Sequence, residues 1–261
     1  MYLKKTNFMK DLTVIIPVIN MDDANKQELL KRAINSIDDS SILIVGQEKD
    51  IEVIEKMGLE TPIRVYTNKS NDYSYATQVN LGVREVKTTY FSILEYDDHY
   101  SPIWFKNVAE YMKNDVEDIF AFMPLTEVID VQYGPIGYAN EAVWASSFSE
   151  EIGFYDLQCL DDYLNFNISG TVFKTQDFIN LGLLKSSMKL TFWYEFMLRA
   201  IYKGKKFFVI PKIGYYHYVG REDSLSSFYA NNMSEKEGNW WIDIAKKEYF
   251  FPHDRNKIYQ E

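Results

Sequence analysis

The sequence lacks three features that would each point to a particular class of protein. It has a single cysteine in 261 residues, Cys159, so no disulfide can form within the chain and the reducing cytoplasm is the expected compartment. No run approaches the ~20 apolar residues of a membrane span, and Pro17 interrupts the apolar stretch at 14–19, so we expect a soluble protein without a signal peptide. There is no basic excess either, because 28 Lys and Arg stand against 38 Asp and Glu. A net charge of −10 argues against a protein whose main task is to bind nucleic-acid phosphates.

Apolar runs and helical patterns alternate along the first half of the chain. Runs such as TVIIPV at 13–18 and YFSIL at 90–94 have the length and composition of buried strands. Between them, apolar residues recur at helical spacing, as in 29–37. We predict strands at 13–18, 42–45, 63–67, 90–94 and 119–125. This pattern favours an α/β fold with a mainly parallel, doubly wound sheet, helices on both faces and functional groups at the carboxyl ends of strands.

The second half is less regular. Residues 128–168 contain many loop signals and one predicted short helix near 140–147, and a long irregular insertion of this kind is usually a binding element. A strand at 169–174, a helix from Thr175, a helix ending at Gly204 and strands at 207–211 and 214–218 follow. Ser234 and Glu237 have the spacing of a capping box before a terminal helix.

An acidic cluster ends the fourth predicted strand. Glu95, Asp97 and Asp98 fall within four positions, directly after the apolar residues 92–94. Like charges this close repel each other where the dielectric is low, so either water screens them or a cation lies among them. A solvated acidic turn before the helix that Pro102 opens is the alternative interpretation.

The order of the motifs resembles that of the family 2 glycosyltransferases, which have the GT-A fold. The resemblance covers roughly residues 11–228. It rests on TVIIPVIN at the start, an Asn-rich segment from Asn68 to Asn80, Glu95-Tyr96-Asp97-Asp98, Ile168-Ser169-Gly170, Leu198-Arg199 with Gly204, and His217 followed by Ser224-Leu225-Ser226. It implies a GT-A-like domain over 1–228, with a nucleotide-sugar half at 1–127 and an acceptor half at 128–228. A C-terminal helical extension would occupy 229–261.

The resemblance also implies roles for the acidic cluster. In such enzymes the acidic motif holds magnesium or manganese on the diphosphate of a nucleotide sugar. Asp97 and Asp98 are the expected ligands, while Glu95 replaces the usual first Asp and is expected at the ribose or a metal-bound water. His217 is a third candidate ligand, although a histidine between tyrosines on a strand is often simply packed. Arg221 is expected either at a phosphate or in a salt bridge with its acidic neighbours.

The donor, expected to be a UDP-sugar, should lie across the carboxyl ends of the first strands. An acidic residue after the second strand often contacts the base in this family, but the chain has Gln47 or Glu48 to serve there. Asn80 is either a nucleotide contact or an ordinary helix residue. The full set of expected donor contacts is Pro17, Val18, Asn20, Gln47, Asn68, Asn80, Glu95, Tyr96, Asp97 and Arg221.

The catalytic base is the weakest match. An inverting family member carries Glu-Asp a few residues before Leu-Arg, where this chain has Phe192-Trp193. Glu195 is the nearest carboxylate, and its spacing places it off the apolar stripe of the helix, where it acts either as the base or as the i,i+4 partner of Arg199. Asp161 and Asp162, in the insertion, are substitute bases. Trp193 is an alternative sugar platform.

Three functions therefore compete. The first is metal-dependent transfer of a hexose or pentose from a nucleotide diphosphate donor to a hydroxyl of a glycan, a lipid-linked glycan or a modified base, with inversion. The second is a family member with weak or no turnover that binds glycans or is structural, which the missing Glu-Asp motivates. The third is transfer onto modified nucleic acid, with Lys203, Lys205 and Lys206 as a local docking patch; the net charge disfavours it.

Overall fold

The computed structural model describes residues 8–115 and 117–254. The predicted ranges 1–228 and 229–261 therefore extend outside the described residues at 1–7, 116 and 255–261. The strands are β1 (Leu12–Pro17), β2 (Ser41–Gly46), β3 (Arg64–Thr67), β4 (Tyr90–Ile93), β5 (His99–Tyr100), β6 (Ala121–Asp130), β7 (Gly134–Ala139), β8 (Phe154–Tyr155), β9 (Val172–Lys174) and β10 (Phe207–Val219). The α-helices are α1 (Ala24–Asn35), α2 (Glu48–Lys56), α3 (Tyr75–Glu85), α4 (Trp104–Lys113), α5 (Leu157–Asp162), α6 (Thr175–Asn180), α7 (Phe192–Tyr202), α8 (Leu225–Asn232) and α9 (Glu235–Glu248). Short 3₁₀ segments lie at Phe8–Asp11, Ala142–Trp144 and Ser186–Thr191.

One sheet organises the molecule, in the strand order β3-β2-β1-β4-β9-β6-β10-β5. The pairs β3–β2, β2–β1, β1–β4 and β6–β10 are parallel, and β9 lies antiparallel between β4 and β6. The prediction of a mainly parallel α/β fold is confirmed. The carboxyl ends of β1, β2 and β4 consequently meet at one edge of the sheet, and the acidic motif lies there.

Two apolar cores cover the two faces of the sheet. Along β1, Val14 and Ile16 pack into a core with α1, α2 and α4, whereas Ile15 packs into the core that contains α3, α6 and α7. This alternation follows from the two-residue repeat of a strand, and it explains why the run is apolar on both faces. Helices on both faces were predicted and are found.

β10 is one strand, although the sequence analysis predicts two. Pro211 and Gly214 suggested a break, but the pairing with β6 continues from Phe207 to Val219 with register shifts between Ile210 and Tyr215. Bulges of this kind insert residues into a strand and bend it without ending it. The bend carries the second half of β10, including His217, towards the acidic motif.

The insertion at 128–168 has more structure than its sequence suggests. β6 runs on to Asp130 and turns into β7, so that the two form an antiparallel hairpin. β8 pairs with β10, and α5 packs against α7. The short helix expected near 140–147 is the 3₁₀ segment Ala142–Trp144.

α9 begins with the predicted cap, because the Ser234 hydroxyl accepts a hydrogen bond from the backbone N–H of Glu237. The helix packs against α7 and the segment Ser186–Thr191. Trp241 and Ala245 are buried there, and Ala245 belongs to the same core as α7. No helix in the described part of the chain is long and apolar enough to span a membrane.

Candidate active site

The acidic motif begins with Glu95, which protein hydroxyls hold in place. Its backbone N–H donates to the Tyr215 hydroxyl at 3.1 Å, and its carboxylate accepts hydrogen bonds from the hydroxyls of Tyr75 and Ser169, the latter at 3.0 Å. Burial raises the pKa of Glu95 to about 7, and the neighbouring carboxylates act in the same direction. Nothing in the sequence marked Tyr75 as a partner of the motif, since it is an ordinary residue at the start of a helix.

The Ser-Gly motif is explained by close packing beside Glu95. Gly170 has a φ of 81°, and a Cβ at this position would lie 2.5 Å from the Tyr215 ring. Its N–H donates to the Ile93 carbonyl at 2.8 Å, and its carbonyl accepts from the Trp104 indole at 2.8 Å. Only glycine satisfies this conformation and this close contact together, so packing against Tyr215 explains the glycine of the motif.

Asp98 is fully buried and binds β10 with both carboxylate oxygens. Oδ2 lies 2.8 Å from Nδ1 of His217, and Oδ1 accepts from the backbone N–H of Tyr218 at 2.8 Å. Burial alone would lower the pKa of His217, but the charge and hydrogen bond of Asp98 raise it to about 9. Within the described residues, the second ring nitrogen of His217 has no hydrogen bond, and the side chain is 33% exposed. Asp98 therefore orients His217.

Asp97 forms an ion pair with Arg221. The Arg221 Nη1 lies 2.7 Å from Asp97 Oδ2, while Nη2 donates to the Tyr96 hydroxyl at 2.9 Å and to Asp223 Oδ1 at 2.9 Å. Burial and the charge of Asp98 raise the pKa of Asp97 to about 6, although the guanidinium opposes them. The expected salt bridge with an acidic neighbour is present at Asp223, and the pairing with Asp97 is one that the sequence analysis did not predict.

A cleft of about 360 Å³ lies beside Asp97. Arg32 donates to the backbone carbonyl of Asp97 at 2.5 Å and lies over the Tyr218 ring at 4.3 Å. The cleft is lined by Leu29, Arg32, Asp97, Ile129, Asp130, Val131, Gly134, Tyr218 and Arg221. It therefore connects the acidic motif with the hairpin of the insertion.

The residues expected to bind the base of the nucleotide lie at the ends of β1 and β2. Pro17 and Val18 are buried, and Asn20 is exposed, with a φ of 54° and a hydrogen bond from Lys49 at 3.2 Å. Gln47 precedes α2 and makes no side-chain cap. The sequence analysis did not single out Asp50, a buried carboxylate beside these residues. Its Oδ1 accepts from the Met21 N–H at 2.8 Å, while Oδ2 has no partner among the described residues.

Two expected donor contacts serve the fold instead. The Asn80 side chain donates to the Leu184 carbonyl at 2.8 Å and accepts from the Leu184 N–H at 2.9 Å. The buried Asn68 donates to the Asp72 carbonyl at 3.0 Å and accepts from Ser70. Since protein groups use both ends of each amide, the structure does not support a side-chain contact of Asn68 or Asn80 with a nucleotide.

Glu195 is not off the core face, and this expectation was wrong. The whole span Phe192–Ala200 of α7 is buried, because α5, α9 and the segment Ser186–Thr191 all pack against this helix. The Glu195 carboxylate is 0% exposed and accepts from Arg199 Nε at 2.8 Å and Nη2 at 2.9 Å, with Lys185 Nζ at 3.0 Å. The i,i+4 pair with Arg199 is present. The geometry leaves no free oxygen to meet an acceptor hydroxyl.

The other positions considered for the catalytic base make no contact that would suit them to that role. Asp162 ends α5, is exposed and accepts from Gln158 at 2.7 Å; none of its contacts joins it to the acidic motif. At the positions of the family's Glu-Asp, the Phe192 ring stacks on Tyr75 at 5.6 Å, and Trp193 is parallel to the Phe173 ring at 6.1 Å. These positions are apolar packing, and Trp193 at 9% exposure offers little surface to a sugar.

The residues fit a divalent ion only in part. The described residues contain no group of three or more His, Cys, Asp or Glu side chains placed to hold an ion. A magnesium or manganese ion on a nucleotide needs less from the protein, because the phosphates supply most of the ligands. Asp97 offers a carboxylate, and the second ring nitrogen of His217, oriented by Asp98, offers a further ligand once an ion displaces the proton that the raised pKa retains there.

The family comparison matches the first half of the chain. Residues 13–130 match the model described as glycosyl transferase family 2. This range contains β1, the acidic motif and the whole of β6. No curated protein matches the chain.

Solved structures match more of the chain at low identity. TarS 1–349 of S. aureus in complex with UDP has a TM-score of 0.57 at 17% identity and covers 85% of this chain and 63% of that chain. The same protein with UDP-GlcNAc has a TM-score of 0.58 at 13% identity, covering 84% and 61%. The mannosyltransferase PcManGT of Pyrobaculum calidifontis, in complex with GDP-Man and Mn²⁺, has a TM-score of 0.59 at 10% identity, covering 83% and 59%. The chain thus spans about 60% of the length of these solved chains, and at such identities the likeness shows the fold.

Proposed function

We propose that the chain is a family 2 glycosyltransferase that transfers a sugar from a nucleotide diphosphate donor to a hydroxyl acceptor with the help of a divalent ion. The match of residues 13–130 to the family model and the fold shared with solved glycosyltransferases support this proposal. The observation that carries this proposal is the acidic motif at the carboxyl end of β4, packed against His217 and Arg221. A UDP-sugar is the proposed donor, since TarS binds UDP and UDP-GlcNAc. The family resemblance favours inversion, and the single cysteine favours the cytoplasm.

The proposed ligands differ from those that the sequence suggested first. Asp97 and the free ring nitrogen of His217 would hold the ion, and Asp98 would orient His217 rather than bind the ion itself. When bound, the ion supplies charge neutralisation at the departing nucleotide. Arg221 would add a guanidinium that suits phosphate oxygens.

The base is the unassigned part of the proposal. Glu195 is committed to its buried ion pairs, and Asp162 lies outside the contacts of the motif. Phe192 and Trp193 cannot accept a proton. The lack of an assigned base is the observation that favours the alternative of a glycan-binding protein. The nucleic-acid alternative gains nothing, because Lys205 pairs with Asp177 at 2.8 Å and Lys206 pairs with Glu117.

The test is UDP binding in the presence and absence of Mn²⁺, measured by calorimetry on the parent, Asp97→Asn and the charge-matched control Asp39→Asn. We expect manganese to tighten UDP binding in the parent and the control. Asp97→Asn should lose roughly tenfold or more of the manganese-dependent affinity, as charge-assisted contacts are worth about 1.5–3 kcal/mol. Full manganese dependence in Asp97→Asn contradicts the assignment. Donor binding without hydrolysis or transfer would favour the binding-protein alternative.

A further inference from the structure

Arg221 is paired with Asp97, the carboxylate that the proposed function assigns to a divalent ion. Its guanidinium contacts Asp97 Oδ2 at 2.7 Å, the Tyr96 hydroxyl at 2.9 Å and both oxygens of Asp223 at 2.9 and 3.0 Å, and it lies 5.3 Å from the centre of the Tyr96 ring. Every contact except those to Asp223 is to the acidic motif. Arg221 is thus the counter-ion of Asp97 in this structure.

A guanidinium and a divalent ion compete for this carboxylate. The Asp97 side chain is 15% exposed, so there is little room for both cations around it. Asp98 is not the alternative ligand in this structure, because its side chain is fully buried and the imidazole of His217 and the Tyr218 N–H engage its two oxygens. An ion that binds at Asp97 therefore competes with Arg221 for the same partly buried carboxylate.

The segment that carries Arg221 is held in place independently of Asp97, so the side chain can move while the backbone stays. Arg221 follows Gly220, which has a φ of 85° and ends the pairing of β10 with β6 at Val219. Beyond it, the segment is fixed by Asp223, which is also 3.3 Å from Lys26 of α1. The anchor to Lys26 does not depend on Asp97. Arg221 can leave the carboxylate while its own chain segment stays attached.

We propose that Arg221 exchanges partners during loading: a divalent ion displaces its guanidinium from Asp97, and the freed guanidinium binds the diphosphate of the donor. The second half of this exchange rests on the proposed function, whereas the first half concerns only the ion. Arg221 thus keeps the buried carboxylate neutralised before loading and contributes two charge-assisted hydrogen bonds to the phosphates afterwards. Removing it should have opposite effects on the two ligands.

The experiment measures Mn²⁺ binding without nucleotide by the loss of the free-ion electron paramagnetic resonance signal, for the parent, Arg221→Gln and Arg84→Gln. Arg84 is an exposed residue of α3 and controls for the change in net charge. Arg221→Gln should bind Mn²⁺ roughly tenfold or more tightly than either of the others. In saturating Mn²⁺, the same variant should bind UDP roughly tenfold or more weakly than the parent.

Arg221→Lys keeps the charge but loses the planar fork, so its Mn²⁺ affinity should lie between those of the parent and Arg221→Gln. Circular dichroism establishes that each variant is folded. Equal Mn²⁺ affinity in the parent and folded Arg221→Gln and Arg221→Lys overturns the exchange, as does an absence of Mn²⁺ binding in all variants. Unchanged UDP affinity in Arg221→Gln overturns the transfer of Arg221 to phosphate. If the parent binds Mn²⁺ but no UDP, the proposed function fails, while the manganese comparison still decides the competition.

Discussion

Three charged side chains, Lys185, Glu195 and Arg199, lie in the interior with no more than 1% exposure. Arg199 also donates to the backbone carbonyls of Leu181 and Leu183, so its guanidinium closes the loop after α6 as well as pairing with Glu195. A buried pair of this kind gains little over an apolar replacement, but loss of one partner leaves an uncompensated charge. Arg199, in the Leu198-Arg199 pair of the sequence analysis, therefore has a structural role in this chain.

Glu195→Gln should accordingly lower the free energy of unfolding by about 3–5 kcal/mol, because Arg199 would stay buried without its carboxylate and Lys185 would keep only its contacts with Glu248. Urea denaturation checks this, with Glu52→Gln on the exposed face of α2 as the control, for which we expect a change within about 0.5 kcal/mol. A variant as stable as the parent that has lost sugar transfer would restore Glu195 as the base.

Asp72 shows how one side chain connects two elements. Its carboxylate accepts hydrogen bonds from the Ser74 N–H at 3.0 Å and the Thr77 hydroxyl at 2.5 Å, at the start of α3, and from the Ser186 hydroxyl at 3.0 Å. Burial alone would raise the pKa of Asp72, but these hydrogen bonds hold it well below its usual range. The carboxylate therefore stabilises the junction between α3 and the segment before α7.

This stabilisation should depend on pH in one direction. The folded-state pKa of Asp72 is below the unfolded value of about 3.9, so its contribution is complete above that pH and is lost as the pH falls towards the folded-state value. At pH 7 we expect Asp72→Asn to cost roughly 1–2 kcal/mol of unfolding free energy. The difference from the parent should shrink between pH 4 and acid unfolding, in melts at several pH values beside Asp39→Asn. A difference that is constant with pH would contradict the role of the charge.

Elements with strong local patterns were predictable, and those that depend on partners were not. The β-branched runs gave β1, β2 and β4, and the cap at Ser234 gave α9, because each signal is contained in a few neighbouring residues. β7 contains glycine and proline, so only its pairing with β6 makes it a strand. The same holds for β10, whose continuity comes from its neighbour.

At the scale of the whole molecule, the sequence located the acidic motif at the edge of the sheet but not the contacts inside it. The order of strands and helices predicts which strand ends lie together, so the position of Asp98 at the carboxyl edge of the sheet was predictable. The distances that assign Asp98 to His217 and Asp97 to Arg221 join residues more than 100 positions apart. The contacts of Asn80 with Leu184 and of Glu195 with Lys185 were also hidden from the sequence, since both partners lie in the loop between α6 and the segment Ser186–Thr191.

The last prediction concerns whether α9 folds with the domain or as a separate segment. Two adjacent tryptophans in this helix distinguish the two cases. Trp241 is 9% exposed, its backbone carbonyl accepts from the Thr191 hydroxyl at 3.3 Å, and Lys189 lies 5.1 Å from its ring; Trp240 is 53% exposed. If α9 folds with the domain, Trp241→Ala should lower the free energy of the single unfolding transition by about 3–5 kcal/mol, as for other large-to-small core changes.

Trp240→Ala removes the same side chain from the adjacent position and should change the unfolding free energy by no more than about 1 kcal/mol. Urea unfolding followed by far-ultraviolet circular dichroism, which averages over all helices and strands, reports whether the transition is single. A helical extension that folds separately would give a different result: Trp241→Ala would release a small early transition and leave the main midpoint unchanged. That outcome would make 229–261 an independent segment, whereas a shift of the whole transition makes α9 part of the core on which α7 and the buried ion pairs depend.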